Sequence, residues 1–443
     1  MALLCLLQYF KGSLKALDTN GNRRILVNNH EFSCITLRFR HTHRNKVIHK
    51  CRLFHETVMK QDLLRFATIA LLLAISSIAS GSEPSSKGLQ HSSDFFPVGV
   101  WLQDPSNAKA YGEIGINIYV GLWKGPTEEQ LNQLDRSGIR VICGQNERSL
   151  KFLDRKTIAG WMHGDEPDNA QSLGQGKGYG PPILPSKIIE DYNRIRKADP
   201  DRPILLNLGQ GVAWDGYYGR GVRTNHPEDY REYAKGGDIV SFDIYPAAHE
   251  NKEIAGKLEY VPKGVDRLRS WTDDSKQVWC CIETTRINNL NRKPSPIQVR
   301  SEVWMALIHG AKGIIYFSHQ FKPKFIEAGL LADQEMAREV KSINLQIHQL
   351  APVLNQPDVN HLASVESLGR EIPIDFMVKQ HADKTYIFAA SMRDSKSDVL
   401  IKLQDKSVKK VKVVGENRSI ETHEGQWTDQ FIGYGVHIYE AEK

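Results

Sequence analysis

Residues 158–169 read IAGWMHGDEPDN. The first five are apolar or small on both faces, the pattern of a strand covered on both sides. The chain then turns polar at once, with Asp165 and Glu166 set directly before Pro167. Charged groups are costly to bury without partners, and proline stops strand pairing by removing a donor. The stretch therefore marks a core strand emerging at a polar face.

Seven similar runs share this pattern: 95–102 (FFPVGVWL), 116–123 (INIYVGLW), 139–145 (IRVICGQ), 203–210 (PILLNLGQ), 238–246 (DIVSFDIYP), 277–285 (QVWCCIETT) and 313–320 (GIIYFSHQ). Helical patterns such as TEEQLNQLDRSG, PSKIIEDYNRIRKADP and PIQVRSEVWMALIHGAKG separate them. Strands alternating with helices imply parallel pairing. Eight such units over roughly 250 residues predict a (β/α)8 barrel across 95–350. An open doubly wound sheet is the rival. It lacks support because no GxGxxG turn follows the first strand. After Leu350 the period shortens to two, in DFMVKQ, KTYIFAASM, DVLIKL, KKVKVVG and YGVHIYE. These predict a small antiparallel, sandwich-like β-domain over 352–443, covering the barrel or binding sugar.

The 443 residues carry a formal net charge of +6, but residues 1–58 hold ten Lys/Arg and three acids, so the other 385 sum to −1. A near-neutral body gives no basis for a nucleic-acid partner. Met59 opens a second start, with Lys60 and Arg65, an apolar run over 66–75 and small residues around 77–81. That is the layout of a secretory signal peptide over 59–81, which predicts a secreted or periplasmic protein with no membrane attachment after cleavage. Residues 1–58 then read as an untranslated or unstructured extension. In the mature part Cys143, Cys280 and Cys281 lack metal spacing and are expected as small core residues. No metal and no cofactor are expected. Oligomeric state is not legible.

In a barrel of this kind the active site forms where the strands end at the C-terminal face. The strand ends supply Trp101, Trp123, His163, Asp165, Glu166, Asn207, Trp214, Asp243, Tyr245, Glu283 and His319. Carboxylates finish the fourth and seventh strands, with amides and aromatics around them. A carboxyl pair suits glycoside hydrolysis, retaining when about 5–5.5 Å apart and inverting when about 6.5–9.5 Å apart. Rings and amides suit a carbohydrate. The loop 171–185 (QSLGQGKGYGPPILP) is long for its position and reads as a wall of the site.

GWMHGDEPD and WCCIETT resemble the large clan of retaining (β/α)8-barrel glycoside hydrolases. That resemblance implies Glu166 as acid/base, Glu283 as nucleophile and Tyr245 as the nucleophile's hydrogen-bond partner. Asp165 stands where the clan carries Asn, the strand-two Arg is missing from YVGLWKG, and the strand-eight Trp is missing from YFSHQF. The chain is thus expected as a divergent member, with Asp165, Asn207, Asp243, His163, His319, Trp101, Trp123 and Trp214 as substrate contacts. Glu283 is the expected source of the field that keeps Glu166 protonated. The alternatives are a non-catalytic carbohydrate-binding barrel and an inverting or lyase-like one. GxSxG, Walker A and an HxH at strand one are all absent, which sets aside serine-hydrolase, nucleotide and metal-hydrolase readings.

Overall fold

The computed structural model describes residues 89, 92–369 and 372–442, together with the backbone of a short antiparallel hairpin, Leu17–Thr19 with Asn22–Arg24. The signal-peptide reading over 59–81 and the remainder of 1–58 lie outside the described residues.

Eight parallel strands close into a barrel. They are β1 (Val98–Trp101), β2 (Ile118–Val120), β3 (Arg140–Gly144), β4 (Ile158–Met162), β5 (Ile204–Leu208), β6 (Ile239–Phe242), β7 (Gln277–Glu283) and β8 (Gly313–Phe317). Neighbours pair in sequence order, and β8 closes on β1 through Ile314↔Val98 and Tyr316↔Val100. Each expected strand is present, several of them shorter than the apolar run. The β2 run breaks at Asn117, whose side chain accepts from the Val98 N–H and donates to the Phe96 carbonyl, both at 2.9 Å. It stops again at Gly121, where φ is +89°.

Alternate residues of each strand face two cores. Ile118, Val120, Ile142, Leu205, Ile239, Trp279, Cys281 and Ile315 fill the barrel interior. Their neighbours in sequence pack outward on the helices. Trp279 lies across the β8 backbone: a Cβ at Gly313 would meet its ring at 2.5 Å. That close approach allows only glycine at position 313. Cys143, Cys280 and Cys281 are buried and free.

The helices are α1 (Ala108–Glu113), α2 (Glu128–Arg136), α3 (Pro185–Ala198), α4 (Tyr230–Tyr233), α5 (Tyr260–Trp271), α6 (Pro296–Ile308), α7 (Gly329–Ala332) and α8 (Gln334–Leu354). Capping boxes start two of them, Thr127 with Gln130 and Ser295 with Gln298, each satisfying two otherwise orphaned donors. None of the described helices is long and apolar enough to cross a membrane.

Eight antiparallel strands follow, β9 (Ala363–Leu368), β10 (Ile374–His381), β11 (Lys384–Ser391), β12 (Ser397–Leu403), β13 (Lys410–Val413), β14 (Arg418–Glu421), β15 (Gln426–Phe431) and β16 (Val436–Glu442). They form a three-stranded sheet, β9-β12-β15, and a five-stranded sheet, β10-β11-β16-β13-β14. Both sheets contribute to one apolar core around Val378, Ile387, Ile401, Trp427 and Tyr439. Helix α6 joins this domain to the barrel. Its Trp304 stacks on Phe388 with ring centroids 5.6 Å apart, and its Ser301 hydroxyl donates to the Tyr434 carbonyl at 2.7 Å. A helix apolar on all sides is one buried on all sides, and Val299 through Ile308 of α6 are buried apart from Arg300.

Candidate active site

Three carboxylates meet at the C-terminal mouth of the barrel. Asp165 and Glu166 leave β4, and Asp243 follows β6. Asn207, the inward residue near the end of β5, ties two of them together. Its amide donates to Asp165 Oδ1 at 2.9 Å and to Asp243 Oδ1 at 3.0 Å. Two oxygens sharing one nitrogen at these distances lie under about 6 Å apart. The Ser241 hydroxyl fixes the amide's orientation by donating to Asn207 Oδ1 at 2.7 Å. The Tyr245 hydroxyl donates to the second oxygen of Asp243, also at 2.7 Å.

The three acids differ in environment. Burial pushes Asp243 above the usual carboxylate range, while the Tyr245 and Asn207 donors pull it back. Burial and then the Asp243 charge raise Asp165 to about 7, although its side chain reaches solvent. Glu166 is held well above the usual range by burial, then by Asp243, Asp165 and Asp168 in turn. Clustered like charges cannot all ionise together. Asp243 carries the most donors of the three, while Glu166 is surrounded by the other acids and is held well above the usual range. The field on Glu166 thus has its largest charged source in Asp243 and not in Glu283, the source expected from the sequence. Glu166 also has φ +44°, a strained setting for a non-glycine residue. Its carboxyl accepts from the Asn169 amide at 2.8 Å.

Asp168, the second acid of DEPD, does not join the mouth. It is fully buried and accepts from the Gly209 N–H at 2.9 Å and the Tyr230 hydroxyl at 2.8 Å. Buried Arg220 donates to its carbonyl at 3.3 Å and to Asp229 at 2.8 Å. The strand-four exit and the loop after β5 are thereby clipped together. Tyr217 on that loop lies in the field of Glu166.

Glu283 sits elsewhere. It is 0% exposed, and its two oxygens accept the N–H groups of Ala247 and Ala248 at 2.6 and 2.7 Å. Behind it lies Glu302 of α6, also 0% exposed. Burial raises Glu283 to about 8, and Glu302 is pushed up by burial and by Glu283. This buried carboxyl pair grips the chain just after Tyr245.

The other expected residues divide. Trp123 is at the rim, 70% exposed. Trp214 is buried beneath Tyr217, with ring centroids 5.8 Å apart. His319 donates to the Leu102 carbonyl at 3.2 Å and lies edge-on to Phe317. Trp101 belongs to the barrel core. His163 points outward, between Asp191 of α3 at 2.9 Å and the Gly236 carbonyl at 2.7 Å. Sequence reasoning missed Asp168, Tyr217, Arg220 and Glu302. The repeated acid in DEPD and the doubled tyrosine in WDGYYG were the available signals for Asp168 and Tyr217. Among the described residues, no group of His, Cys, Asp and Glu has the geometry to hold a metal ion.

Residues 186–342 match the model of glycoside hydrolase family 42, described as beta-galactosidase. The matched segment is about a third of the chain. It spans β5 to β8 and includes Asn207, Asp243, Tyr245 and Glu283, but begins after Glu166. No curated protein matches the chain. Among solved structures, Gan42B, a family-42 beta-galactosidase, is 10% identical with a TM-score of 0.51, covering 79% of this chain and 98% of that one. A catalytic mutant of Gan42B from G. stearothermophilus gives 10% identity and a TM-score of 0.52 over the same shares. At that identity the likeness speaks to the fold, and it is the matched segment that speaks to the family. The matched third of the chain is similar to glycoside hydrolase family 42, and the barrel shares the fold of those enzymes.

Proposed function

We propose that this protein is an exported glycoside hydrolase that cleaves O-glycosidic bonds with retention of configuration. The observation that carries the reading is the Asp165–Asn207–Asp243 bridge beside Glu166. The bridge keeps the Asp165 and Asp243 carboxyls under about 6 Å apart beside Glu166, and retention rests on the resemblance of GWMHGDEPD and WCCIETT to the retaining clan. Glu166 protonates the leaving oxygen, because its neighbours keep it protonated. Asp243, held by Tyr245 and Asn207, attacks the anomeric carbon as its carboxylate. Water then enters with Glu166 as base and releases the sugar. Asp165 completes the field on Glu166 and offers an acceptor to a sugar hydroxyl.

Glu283, the nucleophile expected from the sequence, would first have to release the amides of Ala247 and Ala248. Asp243 also accepts on both oxygens, but it is 9% exposed where Glu283 is 0%, and we give it the role. Glu283 then positions the Tyr245 segment. Export rests on the Met59-led segment, and amino-terminal sequencing of protein recovered outside the cytoplasm tests it.

The chemistry is tested with a panel of 4-nitrophenyl glycosides, beginning with the β-galactoside, and NMR of the first-formed anomer. Glu166→Gln and Asp243→Asn should each lower kcat/KM by about 10³-fold or more, the range of removed nucleophiles and acids. Glu283→Gln should cost far less once folding is verified by melting. Azide should restore turnover in the nucleophile variant. Rescue of Glu283→Gln and not of Asp243→Asn would overturn the assignment. Sugar binding without turnover across the panel would favour a non-catalytic barrel.

A further inference from the structure

Two tracks of aromatic rings lead away from the carboxylates. One starts at Tyr245, which holds Asp243. Its ring lies 5.2 Å from Phe317, Phe317 lies 6.4 Å from Phe321, and Phe321 lies 5.7 Å from Phe325. Exposure grows along it, from buried Tyr245 to Phe325 at 60%. The other starts at Tyr217, on the loop whose Gly219 carbonyl accepts from the Ala170 N–H at 2.9 Å, four residues past Glu166. Tyr217 lies 5.8 Å from both Trp214 and Tyr218, and Tyr218 is 76% exposed. The Trp214 indole N–H is buried and has no hydrogen-bond partner.

The tracks come from the loops after β8 and β5. In a closed ring of eight strands ordered by sequence, these two stand almost opposite each other. Large apolar side chains exposed in a contiguous row mark an interaction surface more often than chance. Here one row starts on the ring that holds Asp243 and the other beside the strand-four exit that carries Glu166. The C–H faces of pyranose rings are apolar and flat, and an aromatic π-face suits them.

Resting on the glycosidase reading above, we infer that the mouth binds a linear glycan chain along both aromatic tracks, with the scissile bond at an internal linkage between them. Tyr217 and Tyr218 carry sugars on one side of the cut, and Phe321 and Phe325 carry sugars on the other. A site for single terminal sugars needs a blocked end. This one has stacking surface on both sides.

The experiment compares the 4-nitrophenyl glycoside that turns over best with linear oligosaccharides of the same sugar, two to six units long. The wild type should cut the six-unit chain internally, and its kcat/KM should rise at least tenfold from the shortest chain to the longest. Phe325→Ala and Tyr218→Ala truncate exposed rings, and melting temperature verifies the fold. Each should lower the ratio of six-unit to aryl-glycoside kcat/KM at least fivefold. Release of single sugars from one end only, a flat length dependence, or an unmoved ratio in both variants overturns the inference while leaving the glycosidase reading intact. A wild type inert on every aryl glycoside and every chain overturns both.

Discussion

Asp243→Asn should lower the titration midpoint of Asp165. Asp165 and Asp243 sit on one amide, their oxygens under about 6 Å apart. Two unit charges at about 6 Å interact by about 3 kcal/mol at an effective dielectric near 20, or about two pH units. Asp165 reaches solvent, so screening takes roughly half of this. An ionised Asp243 opposes proton loss from Asp165, so neutralising it favours ionisation and moves the midpoint down. The expected change is from about 7 to about one pH unit lower. The assay is a carbon-13 NMR titration of labelled aspartate carboxyls, with Asp165 assigned by its loss in Asp165→Asn. Asparagine keeps an oxygen for the Asn207 amide, so the local geometry survives. A midpoint unmoved within about 0.3 pH units would refute the reasoning. Burial alone would then hold the Asp165 proton, and Asp243 would not be the charged neighbour that orders the site.

His309 bridges Asp266 of α5 and Asp375 of β10 at 2.9 and 3.0 Å. Burial lowers its pKa, but the two carboxylates outweigh burial and raise it to about 9. A raised histidine stabilises fully below its unfolded value near 6.5 and loses that contribution as pH climbs through about 9. After screening by half-exposed partners it contributes about 1–2 kcal/mol. His309→Gln should therefore melt well below the wild type at pH 6 and close to it at pH 10, and a pH-independent difference would count against the bridge. Glu302→Gln should have its main effect at the alkaline end instead. Glu283 is raised to about 8, so the wild type is most stable below about pH 4.5 and loses stability as pH rises towards 8. A neutral amide donor beside Glu283 should raise the melting temperature at pH 9 relative to wild type, and do so much less at pH 5. Asp168→Ala leaves the Tyr230 hydroxyl and the Gly209 N–H without their acceptor, and urea denaturation should show a loss of about 2–4 kcal/mol.

Much of the barrel was legible because burial on both faces writes itself as continuous apolar runs. IAGWM, PILLNL and QVWCCI leave no polar face, and only a parallel sheet wrapped in helices uses such strands. The position of the mouth followed from the strand ends. Which acid does what did not follow. Glu283 and Asp243 both stand at ends of inward-looking strands, and sequence spacing cannot tell which carboxyl turns to the mouth. The difference arises from Ala247 and Ala248, whose amides draw Glu283 aside, and from Glu302, which is 19 residues further along the chain. Asn207 was expected as a sugar contact, and its two acceptors show it also organises the acids. His163 looked like a site residue because it directly precedes GDEP. Its ring instead holds α3 to the barrel, since its strand position faces outward.

Helix α6 has a consequence for modularity. The same helix places Glu302 behind Glu283 on one side and Trp304 against Phe388 on the other. A barrel cut free after residue 354 would bare the Trp304 ring and loosen the helix that backs the Tyr245 segment. The β-domain is therefore part of the barrel's own packing and not a loosely appended module. The two lobes must be expressed and engineered as one.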